Sequence, residues 1–271
     1  MSFENIGRHK LANGDCLELM KQIPDGSVDM ILCDLPYGTT ACKWDSVIPF
    51  EPLWEHYRRI AKKNAAIVLT ASQPFTSALV MSNVGQFKYQ WIWEKERPSN
   101  FFAAKFMPLN NTEDVLVFSD GGCNNGAKNP MRYYPQGVVE IDRTAKNSNT
   151  GGKIGAAHKT TLNDGRIYHQ TSTGYPKKTV KFNQDANTVH PTQKPVALME
   201  YLIRTYTKEG EVVLDNCMGS GTTGVACVNT GRDFIGMEKE RPYYDISKRR
   251  ILDADCALMD AAQYPLQGAL L

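Results

Sequence analysis

Two short stretches of this 271-residue chain concentrate residue types that do chemistry. In the first, the buried-looking strand Val28–Cys33 stops on Asp34, and Leu35, Pro36, Tyr37 and Gly38 follow. An ionised aspartate only accepts hydrogen bonds. A proline fixes its own φ and so helps aim the carbonyl before it, and a tyrosine ring offers a flat face. Together they would suit a planar exocyclic amine such as that of adenine or cytosine. The Asp34 carboxylate would take one N–H, the Leu35 carbonyl the other, and Tyr37 would stack on the ring. Two such acceptors pull the nitrogen towards a pyramidal geometry and free a lone pair otherwise delocalised into the ring. The amine could then attack a methyl group. The same residues also make an ordinary strand-end turn, and this stretch alone leaves both readings open.

The second stretch is Asp215-Asn-Cys-Met-Gly219-Ser-Gly221-Thr222-Thr-Gly224, with Glu238 ending the next apolar run 14 residues later. A G-x-G-x-x-G turn between a strand and a helix lets backbone approach a ligand closely, and the later acid can accept from ribose hydroxyls. That pattern fits a nicotinamide dehydrogenase, an enzyme of S-adenosylmethionine (SAM), or a tight turn with no ligand. A Walker phosphate loop fits less well, because no lysine precedes Thr222 or Thr223. Asp215 would repel a pyrophosphate but suits a cationic ligand such as the amino-acid end of SAM. Upstream, Thr192, Gln193 and Lys194 in His190–Pro195 stand at a predicted helix start, where backbone N–H groups and the helix dipole would receive a carboxylate. Alternatively, Pro191 and Pro195 simply stiffen that loop.

Alternating elements would position these residues. Strands are predicted at Lys10–Asp15, Val28–Cys33, Ala65–Ser72, Lys88–Lys95, Glu113–Ser119, Val212–Leu214 and before Glu238. Helices are predicted at Cys16–Ile23, Phe50–Lys63 and about 72–84, after Pro195, after the glycine turn and at Pro242–Met259. The near-continuous apolar run from Ala65 marks a parallel strand covered on both faces. The expected fold class is α/β, a doubly wound, mostly parallel sheet whose ligands bind beyond the carboxyl ends of the strands. Asn100, Phe101, Phe102 and Lys105 would form a loop closing over a base or one packed on the core. Trp91 and Trp93 read as strand core.

Residues 120–189 differ in texture: Gly, Asn, Lys, Thr and Ser dominate and apolar residues are unpatterned. Net charge is +2 overall, yet Ser119–Val189 carries ten Lys/Arg against five Asp/Glu, leaving the rest acidic. A basic segment on a near-neutral body suggests a polyanion for that segment. The seven cysteines form no Cys-x-x-Cys pair and no Cys/His cluster in sequence, so no metal site is expected. The first residues lack the apolar stretch of a secretory signal, and no apolar run approaches the roughly 18 residues of a membrane span. A soluble cytoplasmic protein with no membrane partner is the expectation.

Taken together, Gly14–Gly38 and His190–Glu240 resemble the amino- and carboxyl-terminal blocks of the permuted, or beta-class, DNA amino-methyltransferases of the adenine-N6 type. Those enzymes carry an acid- or serine-proline-proline-aromatic motif ahead of the SAM motif. The resemblance covers about residues 10–119 and 188–255. It implies a circularly permuted, Rossmann-like SAM-dependent methyltransferase fold with a seven-stranded sheet. Residues 1–119 would be its catalytic part, 120–189 a loop-rich target-recognition region, and 190–271 its SAM-binding part. It implies catalytic Asp34, Leu35, Pro36 and Tyr37. It implies SAM contacts at Asp15, Thr192, Lys194, Asp215, Cys217, Gly219, Gly221, Thr222 and Glu238. Leu35 stands where a first proline is usual, and Asn216 and Cys217 where Pro and Phe are frequent. The implied activity is site-specific methylation of adenine in double-stranded DNA by base flipping, by an enzyme that is often a homodimer. Asp rather than Ser in the clamp favours adenine over cytosine-N4. A nicotinamide oxidoreductase leaves the Asp34–Tyr37 stretch unexplained, and a non-catalytic DNA-binding module leaves both motifs idle.

Overall fold

The computed structural model describes residues 2–39, 45–146, 167–186 and 193–263. They form two compact units by contact, residues 1–134 with 178–271, and residues 135–177. The larger unit holds a nine-stranded sheet. Its strands are β1 (Glu4–Ile6), β2 (His9–Asn13), β3 (Val28–Asp34), β4 (Ala61–Ala71), β5 (Phe87–Ser99), β6 (Asn110–Phe118), β9 (Thr179–Lys181), β10 (Val212–Asp215) and β11 (Asp233–Glu238). The order across the sheet is β1-β2-β11-β10-β3-β4-β6-β5-β9. The five strands from β2 to β4 are mutually parallel, β6 runs antiparallel to β4 and β5, and β9 lies parallel to β5. Seven of these strands were legible in the sequence. The other two, β1 and β9, are three-residue edge strands.

Side chains alternate across the sheet, and each face meets its own helices. From β3, Ile31 and Cys33 pack with α1 (Cys16–Met20), α2 (Phe50–Ile60) and α3 (Phe75–Ser82). From the same strand, Met30 and Leu32 pack with α4 (Val196–Tyr206), α5 (Thr222–Asn229) and α6 (Arg241–Gln263). Strand β4 does likewise, sending Ile67 and Leu69 one way and Ala66 and Val68 the other. This explains the apolar runs Met30–Cys33 in β3 and Ala65–Leu69 in β4: both faces are buried. Full burial of each such aliphatic side chain is worth roughly 1.5–3 kcal/mol. Trp91 and Trp93 are core, as expected, with their indole N–H groups donating to the Tyr206 hydroxyl (2.7 Å) and the Phe182 carbonyl (2.9 Å).

The expected helix Phe50–Lys63 stops at Ile60, and Ala61 is already extended. Val28 pairs with Ala61, and Lys62 reaches the buried Asp29 carboxylate at 2.7 Å, so sheet pairing and an ion pair override local helix preference. Asp29 also accepts from Arg132 (2.5 Å) and from the Val212 backbone N–H (3.0 Å). Arg132, one cation of the basic segment, is therefore spent on the fold, and it pairs with Glu211 at 2.7 Å as well.

The middle of the chain is not wholly irregular. In the smaller unit β7 (Val139–Lys146) pairs antiparallel with β8 (Ile167–Thr173). Residues of β8 are mostly exposed on both sides, so no hydrophobic alternation announced the strand. Gly137 and Gly174 close the base of this ribbon, where a Cβ on Gly174 would lie 2.4 Å from the Gly137 carbonyl oxygen.

Candidate active site

The doubly wound sheet reverses direction between β10 and β3: α5 carries the chain from β10 to β11 on one side, and α2 carries it from β3 to β4 on the other. The carboxyl ends of the strands at this switch point open into one cavity of about 530 Å³. That volume is within the roughly 300–1,000 Å³ of small-molecule sites. Its wall includes Asp34, Leu35, Pro36 and Tyr37 from the first motif and Asp215, Cys217, Gly219 and Thr222 from the second. Asp15, Lys194 and Glu238 line it too. Thr192 lies outside the described residues. Gly221 is not in the wall. It sits at φ 82° as the N-cap of α5, where a Cβ would come within 2.7 Å of the Ser247 Cβ.

At the β3 end, the Asp34 carboxylate is held from both sides. Its Oδ1 accepts from the Tyr37 hydroxyl at 2.8 Å and from the Thr70 hydroxyl, and its Oδ2 accepts from Lys194 Nζ at 2.7 Å. Thr70 reaches it because β4 places Thr70 opposite Asp34 in register. Lys194 comes from just ahead of α4, 160 residues away in sequence. Lys194 is 93% buried, and Glu113 lies 3.4 Å from it on the far side. Burial opposes its charge, but the attraction of Asp34 and then Glu113 outweighs it and raises its pKa. The Tyr37 ring stacks on Phe75 with centroids 5.1 Å apart, and burial, followed by the Asp34 charge, holds its phenol well above the usual range. Asp45 fixes the turn that follows, accepting from the backbone N–H of Gly38 (2.8 Å) and Thr39 (2.9 Å).

At the β10 end, Asp215 is 3% exposed. It accepts from the Cys217 backbone N–H (3.0 Å) and the Thr223 hydroxyl (2.7 Å). Burial pushes its pKa up to about 7, and the charge of Asp34 adds to the rise. The two motif acids therefore feel one another across the cavity. Glu238 at the end of β11 accepts from the backbone N–H of Gly219 (2.9 Å) and Glu240 (2.8 Å), and burial raises its pKa. It is thus tied to the glycine turn itself. Asp15 caps α1 through the Leu17 N–H at 2.9 Å and remains exposed at the cavity rim.

Three features of the site carry no signal in the sequence. Thr70 was visible only as one of two hydroxyls, with Ser72, near the end of an apolar run. Lys95 and Glu113 (3.5 Å apart) extend the charge pair Lys194–Asp34 into a chain of four. Cys16, Cys33 and Cys217, scattered in sequence, fall in one packed cluster of the core. Burial pushes Cys33 up to about 12, so these are neutral thiols. Among the described residues no group of His, Cys, Asp or Glu is arranged to hold a metal ion, and no helix is long and apolar enough to cross a membrane.

The geometry joins an acid–aromatic clamp to a glycine turn, and the chain as a whole is similar to known proteins. Two curated relatives are each 26% identical to the chain. Type II methyltransferase M2.DpnII of Streptococcus pneumoniae aligns over 92% of the chain and 91% of its own length. Type II methyltransferase M.HinfI of Haemophilus influenzae aligns over 93% and 71%. Among solved structures the fold is similar to that of M1.HpyAVI, crystallised as a SAM complex (TM-score 0.57, 24% identity, 89% of this chain and 98% of that one). It is also similar to the PvuII cytosine-N4-specific DNA methyltransferase (TM-score 0.64, 14% identity, 97% and 93%). The profile of the N6/N4 DNA methylases matches residues 28–249, which takes in both motifs and most of the cavity wall, and the chain belongs to that DNA methylase family.

Proposed function

We infer that this protein is a SAM-dependent DNA methyltransferase that methylates the exocyclic amine of adenine at specific sites in double-stranded DNA. The observation that carries the reading is that the acid ending β3 and the glycine turn after β10 open into one cavity. The wall fits the cofactor. Gly219 lines the cavity and a Cβ there would meet nothing within 4 Å, so backbone lies bare to a ligand. Asp215 and Glu238 supply buried carboxyls for an ammonium and for ribose hydroxyls, Lys194 a cation for a carboxylate, and Asp15 an acceptor near the adenine of the cofactor. Thr192, Cys217, Gly221 and Thr222 complete the proposed cofactor set. SAM bound there supplies a methyl group on a sulfonium, open to in-line displacement.

The chain's own contribution is alignment and acceptance. A base taken out of the duplex would enter between Tyr37 and Pro36. Its amine would donate to Asp34 and to the Leu35 carbonyl, which exposes the nitrogen lone pair to the methyl group. As the new C–N bond forms and the C–S bond breaks, the amine sheds one proton, and Asp34 is the acceptor placed to take it. Lys194 and the hydroxyls of Thr70 and Tyr37 hold that carboxylate in one orientation. An aspartate in the clamp supports adenine as the base.

We read the chain as circularly permuted. In support, β2 near its start pairs with β11 near its end, and the glycine turn follows the tenth strand rather than the first. Residues 120–189 are proposed as the target-recognition region. The names of the curated relatives support a Type II modification role. A homodimer rests on the resemblance alone, and the DNA substrate would place the protein in the cytoplasm.

The test is methyl incorporation from labelled SAM into duplex DNA, with the product digested to nucleosides. N6-methyl-2′-deoxyadenosine is expected, and a methylated deoxycytidine would overturn the choice of base. Asp34→Ala should lower turnover by on the order of 100-fold or more while the cofactor still binds. Undiminished turnover in that variant would remove the clamp mechanism.

A further inference from the structure

Between β5 and β6 the chain leaves the sheet at Ser99 and returns at Asn110, a cross-strand pair, and both residues line the cavity. The excursion is a folded turn. Asn100 takes the left-handed conformation at φ 70°, and Phe101–Ala103 form one turn of 3-10 helix. Ala103 accepts at its carbonyl from the N–H of Phe106 (2.8 Å) and Met107 (3.0 Å), and the Asn100 amide reaches the Met107 sulfur at 3.4 Å. Held by these bonds, the turn keeps its apolar side chains out in solvent. Phe101 is 63% exposed, Phe102 fully exposed, Phe106 89% and Met107 53%. The alternative seen in the sequence, a hydrophobic loop packed on the core, is thereby ruled out. From Arg97 to Asn110 the only charges are the exposed cations Arg97 and Lys105.

An ordered cluster of three exposed phenylalanines costs stability and solubility unless something covers it. We propose that this turn is a wedge that enters the DNA duplex and fills the gap left when the target base swings into the cavity. Three observations favour DNA as the occupant. The loop's two ends, Ser99 and Asn110, are part of the cavity wall, so the turn is rooted at the site a base must enter. The turn itself carries a cation, Lys105, and no acid, which suits flanking phosphates. Aromatic and apolar side chains are what proteins insert between base steps when they unstack a duplex. Because the turn is already ordered, little conformational entropy remains to be lost on insertion. The inference rests on the reading of the protein as an enzyme that acts on a base in duplex DNA.

The experiment compares wild type with Phe102→Ala/Phe106→Ala, and with Phe102→Leu/Phe106→Leu as the conservative pair. The substrate is a duplex carrying the protein's own methylation site, identified by sequencing modified bases in DNA from cells that express it. Methyl transfer is measured on this duplex and on one in which the target adenine faces an abasic site. The alanine pair should lose about tenfold or more in kcat/KM on the paired duplex and recover most of it on the abasic duplex, where opening is nearly free. The leucine pair should fall between the two. Binding of S-adenosylhomocysteine and the sedimentation coefficient should match wild type. An equal loss on both duplexes, no loss on either, or a changed oligomeric state overturns the wedge; the last would mark the aromatics as a contact between copies of this chain. Failure of the wild-type protein to methylate either duplex would instead sink the functional reading.

Discussion

At the scale of single residues, Asp215 carries the sharpest consequence. Its carboxyl is buried, and its pKa stands near 7 against an ordinary 3.8. In the folded chain it therefore holds a proton that the unfolded chain has released, over the interval from about pH 4 to 7. Folding stability contributed by this group falls as pH rises through that interval. Binding of a cation runs the other way, because only the ionised carboxylate attracts an ammonium. Affinity for S-adenosylhomocysteine should rise about tenfold from pH 6 to pH 8 as Asp215 ionises. Titration calorimetry at the two pH values checks this, and Asp215→Asn should bind more weakly with that rise removed. An unchanged rise in the variant would assign the titration to another group. Asp34, Tyr37 and Asp215 were legible in sequence because each ends or follows an apolar run where nothing about packing asks for it. Thr70, Lys95 and Glu113 were not, because their roles come from strand register, and register appears only once β4, β5 and β6 are laid side by side.

At the scale of elements, the glycine turn shows how one position serves two ends. Gly221 is proposed to offer its backbone to the ligand, and on the side where a Cβ would stand it lets α5 begin against α6. Arg250 secures the same junction by donating to the Ser220 carbonyl at 2.6 Å. A methyl group at Gly221 would meet Ser247 atoms at 2.7 and 2.9 Å while its own backbone sits at φ 82°. Both terms point the same way, so Gly221→Ala should destabilise the fold by about 2 kcal/mol or more. Chemical denaturation followed by circular dichroism measures it. Gly219 differs: a Cβ there meets nothing, and only φ 51° resists it. Gly219→Ala should cost less stability and more cofactor affinity, a separation that a purely structural turn would not give. The helices and inner strands were legible because burial on one or both faces leaves a period in the sequence. The ends of α2 and β4 were not, since the Asp29–Lys62–Arg132 charges that set them are distant in the chain.

At the scale of the whole molecule, the chain closes on itself. Strand β2 pairs with β11, and Lys194 from the carboxyl-terminal block meets Asp34 from the amino-terminal block. What lies between the blocks divides unequally. Residues 120–134 and 178–186 stay with the large unit, through Arg132 on Asp29 and β9 on β5, and only 135–177 form a unit of their own. No sequence pattern marked that boundary, because exposed strands and loops share one polar composition. The small unit leaves and returns through neighbouring residues, since Gly137 and Gly174 nearly touch and Val139 pairs with Thr173. It should therefore be removable. Replacing residues 138–173 with a short Gly/Ser linker leaves intact the nine-stranded sheet, both motifs and the Arg132 anchor. The shortened chain should unfold cooperatively and bind S-adenosylhomocysteine within about threefold of the parent. Methylation of duplex DNA should be lost, because the cut removes Arg143, Lys146, Lys153, Lys159 and Arg166 and with them contacts that steer and orient the duplex. Calorimetry and a labelled-methyl assay on one preparation separate the outcomes. Retained, site-specific methylation would mean that the large unit reads the DNA by itself, and would move target recognition out of the middle of the chain to the loops around the cavity.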